Sequence, residues 1–298
     1  MQVFHSDAFD LELPPGHRFP GRKYGMLRQK LLADGLVAAG ELSSSPLVAD
    51  EDLLRAHDAA YVRSIDDGTI DPAAMRRIGF PWSPQIAKRA RATCGGALSA
   101  AHAALRDGVS GQLAGGTHHA HYDFGAGYCV FNDFAVAALS LLASRAVRRV
   151  AIIDLDVHQG DGNAAILGPR PDVFILSVHG EKNFPFRKFP SDLDVPLPDG
   201  VGDDAYLDTL QRALPAAFRF SPDIVLYQAG VDPLKEDRLG RMALSLGGLK
   251  ARDDLVLRSC RRAGVPVSMA IGGGYADPIE ASVAAYAGAY DVVRDIFG

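Results

Sequence analysis

Short apolar runs that stop abruptly at polar, chemistry-bearing residues recur through the second half of the chain. This pattern restricts the fold more than any other feature. Val150-Ala151-Ile152-Ile153, Val173-Phe174-Ile175-Leu176, Ile224-Val225-Leu226-Tyr227 and the run from Val265 to Ile271 are rich in β-branched residues and nearly all apolar. Unbroken apolar runs of this kind suit strands covered on both faces, as in a parallel sheet. Pro222 and Pro266 fall at strand entries, where a missing backbone donor is tolerated. Gln112-Leu113-Ala114 is a weaker strand candidate.

Helical patterns lie between the runs, over residues 83–106, 132–143, 203–218 and 248–262. Ser83-Pro84 reads as an N-cap followed by a first helical residue, and Gly95-Gly96 is a weak point in the Ala-rich helix it opens. Strand–helix alternation predicts a three-layer α/β/α fold whose mostly parallel central sheet carries helices on both faces. No repeat, low-complexity tract or linker divides the chain. Its 298 residues, 48% of them hydrophobic, can bury one large core, so a single domain over 1–298 is expected.

The formal charge of −5 gives no reason to expect a nucleic-acid partner. It also disfavours a grip on very basic protein tails unless a local acidic rim supplies one. Cys94, Cys129 and Cys260 form no CxxC pair, which fits a reducing compartment. The N-terminal residues show no basic n-region and no apolar h-region. The longest apolar stretch, from Phe134 to Ala143, is too short to span a bilayer. A cytoplasmic protein without a membrane span is expected.

The residues just past each run are more telling. Gly115-Gly116-Thr117-His118-His119 comes after Gln112-Leu113-Ala114, Asp154-Leu155-Asp156-Val157-His158 after the run ending at Ile153, and Ser177-Val178-His179 after the run ending at Leu176. Ala229-Gly230-Val231-Asp232 and Gly272-Gly273-Gly274-Tyr275 come after the remaining two. Ligands of open α/β sheets bind at the carboxyl ends of the strands, so five exits deliver His, Asp, Gly and Tyr to one edge. Asp154, Asp156 and His158 are spaced by two and would share one face of an extended segment. Polar side chains at a buried strand end need partners, and a metal is the simplest. Histidine with carboxylates suits Zn²⁺ or Fe²⁺ better than Ca²⁺ or Mg²⁺. With Asp232 as third ligand, one coordination position stays open for catalysis. Two carboxylates nearly neutralise a divalent ion, so a separate base is needed, and His118-His119 can supply it beside Asp154 and Asp161. Tyr275 comes after three glycines and is placed to hydrogen-bond a developing oxyanion.

These segments, together with Gly127-Tyr128-Cys129-Val130-Phe131-Asn132-Asp133 and Gln159-Gly160-Asp161-Gly162, resemble the ordered motifs of the histone deacetylase superfamily, which has the arginase/deacetylase fold. The resemblance covers nearly the whole chain. Glu236-Asp237-Arg238-Leu239-Gly240 followed by Ser245, and His158-Gln159 in place of two histidines, are similar to the class IV branch and its bacterial relatives. The resemblance implies that Asp156, His158 and Asp232 bind zinc. It makes His119 the general base, paired with Asp161, and His118 the second histidine, paired with Asp154. Tyr275 would polarise the scissile carbonyl. Gly127, Tyr128 and Gly273 would line the acyl-lysine tunnel, with Phe186 as the facing wall. A monovalent cation such as K⁺ would sit with Asp154, the backbone oxygens of Asp156 and His158, the Ser177 hydroxyl and Val178. Lys23 would stand where an arginine lines an exit channel. The segment 181–194 carries no motif.

The activity implied is zinc-dependent removal of acetyl or longer fatty acyl groups from lysine side-chain amides in a protein or peptide. The alternative is deacetylation of acetylpolyamines or other small amines, in which Glu236 and Asp237 would recognise a second amine. A ureohydrolase on the same fold would need two manganese ions. A non-catalytic acyl-lysine reader would be expected to have lost the base or the tyrosine, and both are present.

Overall fold

The apolar runs become neighbouring parallel strands, and short segments at both edges extend them. The computed structural model describes residues 1–9, 11 and 13–298. Its strands are β1 (Gln2–His5), β2 (Leu42–Ser44), β3 (Val109–Gln112), β4 (Val150–Asp154), β5 (Val173–Gly180), β6 (Leu193–Leu197), β7 (Ile224–Gln228) and β8 (Val267–Ala270). They form one sheet in the order β2-β1-β3-β8-β7-β4-β5-β6, with every pairing parallel.

Both faces are covered. Ala151, Ile153, Val225 and Tyr227 join a core with the helices Lys23–Ala33, Asp203–Ala213, Leu246–Ala263 and Glu280–Phe297. Their sequence neighbours Val150, Ile152, Ile224 and Leu226 point the other way, against helices that include Pro84–Asp107 and Asp133–Ala143. The period of two therefore survives in the structure, although both sides are apolar.

Five elements differ from their sequence reading. β5 continues to Gly180, so Ser177, Val178 and His179 belong to the strand rather than lying past it. β3 begins at Val109 and ends at Gln112, so Leu113 and Ala114 already belong to the exit loop. Val265 and Pro266 lie outside β8. The pattern over 203–218 divides into Asp203–Ala213 and Pro215–Arg219, because Pro215 has no N–H to continue the first helix. Gly95 and Gly96 do not interrupt Pro84–Asp107. A Cβ on Gly95 would meet the Pro46 carbonyl, and one on Gly96 would meet the Ser45 and Gln112 side chains, so both glycines let the 45–48 segment lie against the helix. β1, β2 and β6 escaped the sequence reading because they are short and lack apolar runs.

The register fixes where the sheet turns polar. Gln112, Ala270, Gln228, Asp154, Ser177 and Asp194 stand side by side in one row across six strands. The exits of β3, β8, β7, β4 and β5 are thus adjacent in space, although they are scattered in sequence. Among the described residues no helix is long and apolar enough to cross a membrane. All three cysteines are buried and unpaired.

Candidate active site

Just beyond that row the chain leaves extended geometry. β4 ends at Asp154, so Asp156 and His158 lie in bends rather than on a strand. Local hydrogen bonds bring them together: the His158 N–H donates to Asp156 Oδ1 (3.0 Å) and the Val157 N–H to Asp232 Oδ1 (2.9 Å). One ligand atom each from Asp156, His158 and Asp232 lies within 4.8 Å of the others. His158 Nδ1 is 3.0 Å from both Asp156 Oδ1 and Asp232 Oδ2. Burial opposes a charge on this imidazole, but the two carboxylates outweigh it and raise its pKa to about 10. The backbone of Gly273 closes the site, its N–H donating to Asp156 Oδ2 (2.7 Å). A Cβ at Gly273 would collide with both Asp232 and Asp156. Two buried carboxylates and one imidazole converging on a point, with Gly230, Gly272 and Gly273 packed against Asp156, fit a divalent metal.

The paired histidines stand next to this triad. His118 Nδ1 is 2.8 Å from Asp154 Oδ2, and His119 Nδ1 is 2.7 Å from Asp161 Oδ1. Each carboxylate fixes one ring nitrogen, Nδ1, and both histidines line the cavity. The two rings differ in proton affinity. Burial works against a charge on His118, but Asp154 and Asp156 outweigh it and lift its pKa to about 9. Burial and then the charge of His118 lower that of His119 to about 4. His119 is therefore neutral at pH 7, as a base must be.

Several supporting residues surround these groups, of which only Lys23 is given a role by the sequence. His121 Nε2 donates to the second oxygen of Asp161 (2.9 Å). His57 links the His121 carbonyl (3.0 Å) to the Asn132 N–H (2.8 Å). Asp133 accepts from the N–H groups of Gly116 and Thr117 and from the Thr117 hydroxyl, all at 2.8 Å, and so shapes the loop that presents His118. Lys23 Nζ donates to the Gly274 carbonyl and approaches the Tyr286 hydroxyl, both at 3.1 Å. It lies 4.9 Å from the Tyr275 ring centroid. Burial lowers its pKa to about 8 against the pull of Asp232, Asp237 and Asp156. His57 and Lys23 sit far from the strand-exit motifs in sequence, and a buried histidine or lysine leaves no periodic trace.

A cavity of about 470 Å³ runs from the surface to this floor and is lined by Gly127, Tyr128, Gly273 and Tyr275 among others. Tyr128 has φ 65° and is tethered through its N–H to the Ile78 carbonyl (2.6 Å). Phe186 is 87% exposed and reaches only the mouth. The inner aromatic opposite Gly127 is Phe184, whose ring stands edge-on to His119 at 4.8 Å. The motif-free segment 181–194 therefore supplies a wall of the cavity. Gln159 holds that segment by donating to the Phe189 carbonyl (2.6 Å) and Asp194 Oδ1 (2.7 Å). Ser177 is Asp154's neighbour in the register, and its hydroxyl is 2.9 Å from His179 Nδ1. Asp237, one of two carboxylates expected to meet an amine, turns inward. It accepts from the N–H groups of Tyr275 (2.6 Å), Leu239 (2.8 Å) and Gly240 (2.9 Å).

Comparison with known proteins agrees with this geometry. A profile of the histone deacetylase domain matches residues 17–289. An uncharacterized protein of Picosynechococcus sp. is 41% identical, over 99% of this chain and 98% of that one. A histone deacetylase-like amidohydrolase of Pseudomonas aeruginosa is 34% identical, over 88% of this chain and 73% of that one. An acetylpolyamine amidohydrolase of Burkholderia pseudomallei is 28% identical, over 85% and 74%. A solved HDAC homologue in complex with SAHA superposes with a TM-score of 0.84 at 24% identity, covering 98% of this chain and 83% of that one. The chain belongs to the histone deacetylase family, and it is a hydrolase of that family with the arginase/deacetylase fold.

Proposed function

We propose that the protein hydrolyses the side-chain amide of an acylated lysine, with Zn²⁺ held by Asp156, His158 and Asp232. The observation that carries this reading is the pair of histidines beside the ligand triad, each on its own carboxylate and opposite in proton affinity. A divalent ion at the triad supplies Lewis-acid polarisation of the amide carbonyl and acidifies water. His119 Nε2 takes a proton from the attacking water as the new C–O bond forms. The Tyr275 hydroxyl donates to the carbonyl oxygen as negative charge builds there. A proton from the histidine pair reaches the amide nitrogen as the C–N bond breaks, leaving a free amine and a carboxylic acid. Asp154 and Asp161 keep the two rings oriented throughout. Gln159, in the place of a second histidine, supports kinship with the class IV branch.

The test is a panel of acyl-lysine and acylpolyamine substrates, from acetyl to myristoyl, assayed with metal restored. His119→Ala and Tyr275→Phe are expected to lose turnover by about 10²–10⁴-fold while metal content is unchanged. Full activity in both variants would refute the assignment.

A further inference from the structure

The chain as a whole carries a formal charge of −5, but the mouth of the cavity has the opposite sign. Among the described residues, the charged side chains lining its outer part are Arg77, Lys182 and Arg241. Among the described residues the only carboxylate lining the cavity is Asp156, on the floor. The three cations come from separate places. Arg77 lies near the end of the helix Pro72–Ile78, Lys182 just after β5, and Arg241 in the loop after β7.

The ion pairs formed among the described residues do not cancel them. Arg241 Nη1 is 3.3 Å and Lys182 Nζ 3.9 Å from the same oxygen of Asp199. One carboxylate between two cations leaves a net positive charge. Arg77 rests over the Phe124 ring at 4.9 Å and has no ion-pair partner among the described residues. Asp237 is spent on three backbone N–H groups. Glu236 lies beside Lys235 (3.6 Å) and does not line the cavity. The exposed side chains of Phe186 and Leu239 share the mouth with the cations.

We infer that this mouth selects acyl-lysine flanked by acidic residues, an acidic peptide segment, over a basic tail or a polyamine. The inference rests on the deacylase reading above and specifies its substrate class. A ring of like charge at the entrance steers oppositely charged partners and repels like ones, with little bearing on the bond-breaking groups below. A polyamine, cationic along its length, meets three cations at the rim and, among the described residues, no carboxylate lining it.

The experiment compares metal-loaded protein on acetyl-lysine peptides of one length whose flanking residues are Asp, Ala or Lys. Acetylspermidine and free Nε-acetyl-lysine serve as small-molecule arms. The Asp-flanked peptide is expected to exceed the Lys-flanked one by about tenfold in kcat/KM at low salt, with the gap shrinking as salt screens the charges. Free acetyl-lysine turned over as well as the Asp-flanked peptide would overturn the peptide assignment. The double variant K182E/R241E, and separately R77E, should reduce or reverse the order. Urea unfolding confirms that each is folded. Turnover of all three peptides without a charge order, or a preference for Lys flanks, overturns this inference alone. Failure to turn over any of them, the Ala-flanked peptide included, whether acetylated or carrying longer acyl groups up to myristoyl, overturns the deacylase reading and this inference with it.

Discussion

Replacing Arg252 by methionine is expected to weaken the fold and the metal site together. Arg252 is fully buried. Its Nε lies 2.9 Å and its Nη2 2.8 Å from Asp253 Oδ1. Its Nη1 donates to the carbonyls of Gly230 (2.5 Å) and Leu155 (3.3 Å), in the two loops that carry Asp232 and Asp156. Methionine keeps apolar bulk but leaves Asp253 with the Tyr227 hydroxyl (2.5 Å) as its remaining side-chain donor. Breaking a buried ion pair from one side costs about 3–5 kcal/mol. Orphaned carbonyls add about 1 kcal/mol each. Proton uptake offsets part of this, because burial already raises the Asp253 pKa. A net loss of about 4 kcal/mol is expected, a large share of the 5–15 kcal/mol that holds a typical domain folded. Adding Asp253→Asn removes the stranded charge and should recover about half. The metal loops stay unsupported in both variants, so metal affinity should fall about 10–100-fold in each. Urea unfolding of metal-free protein reads the first quantity, and competition with a chromophoric chelator reads the second. A loss below about 1 kcal/mol in R252M, or unchanged metal affinity, would refute the reasoning.

Three further outcomes are expected. Burial holds the His57 pKa at about 4, below the 6.5 of an exposed histidine, so its contribution is complete above pH 6.5 and disappears as pH falls through 4. The unfolded chain takes up the proton first, and between pH 7.5 and pH 5 this costs about 2 kcal/mol. Urea midpoints at the two pH values should show the difference, and His57→Gln should reduce it. Gly273→Ala places a Cβ against the Asp156 and Asp232 carboxylates and should abolish metal retention on dialysis. Gly288→Ala has no atom within 4 Å of the new Cβ and should instead stabilise its helix by about 0.5–1 kcal/mol. Phe184→Ala, beside His119, should raise KM more than about tenfold, whereas Phe186→Ala at the open mouth should change it less than about threefold.

Much of the site could be read from the chain because its parts come directly after strands. The apolar runs ending at Ile153, Leu176 and Tyr227 are local signals, and the residues just past them are brought together by any parallel sheet. In this way Asp156, His158 and Asp232 were legible as one cluster able to hold a metal, and His118-His119 as a pair beside it. The tertiary structure decided what depends on chain segments meeting from a distance. It set Phe184 rather than Phe186 against His119, because the turn after β5 sends one ring inward and the next into solvent. It folded Asp237 onto backbone donors, where the sequence reading sets it toward a substrate amine. It placed Lys23 behind Tyr275 and Arg252 beneath the metal loops, since burial of a charge is decided by what surrounds it. The sign of the entrance is the sharpest case. Net charge sums every side chain, whereas recognition depends on the few that converge, and only the packing of three separate segments put Arg77, Lys182 and Arg241 around one opening.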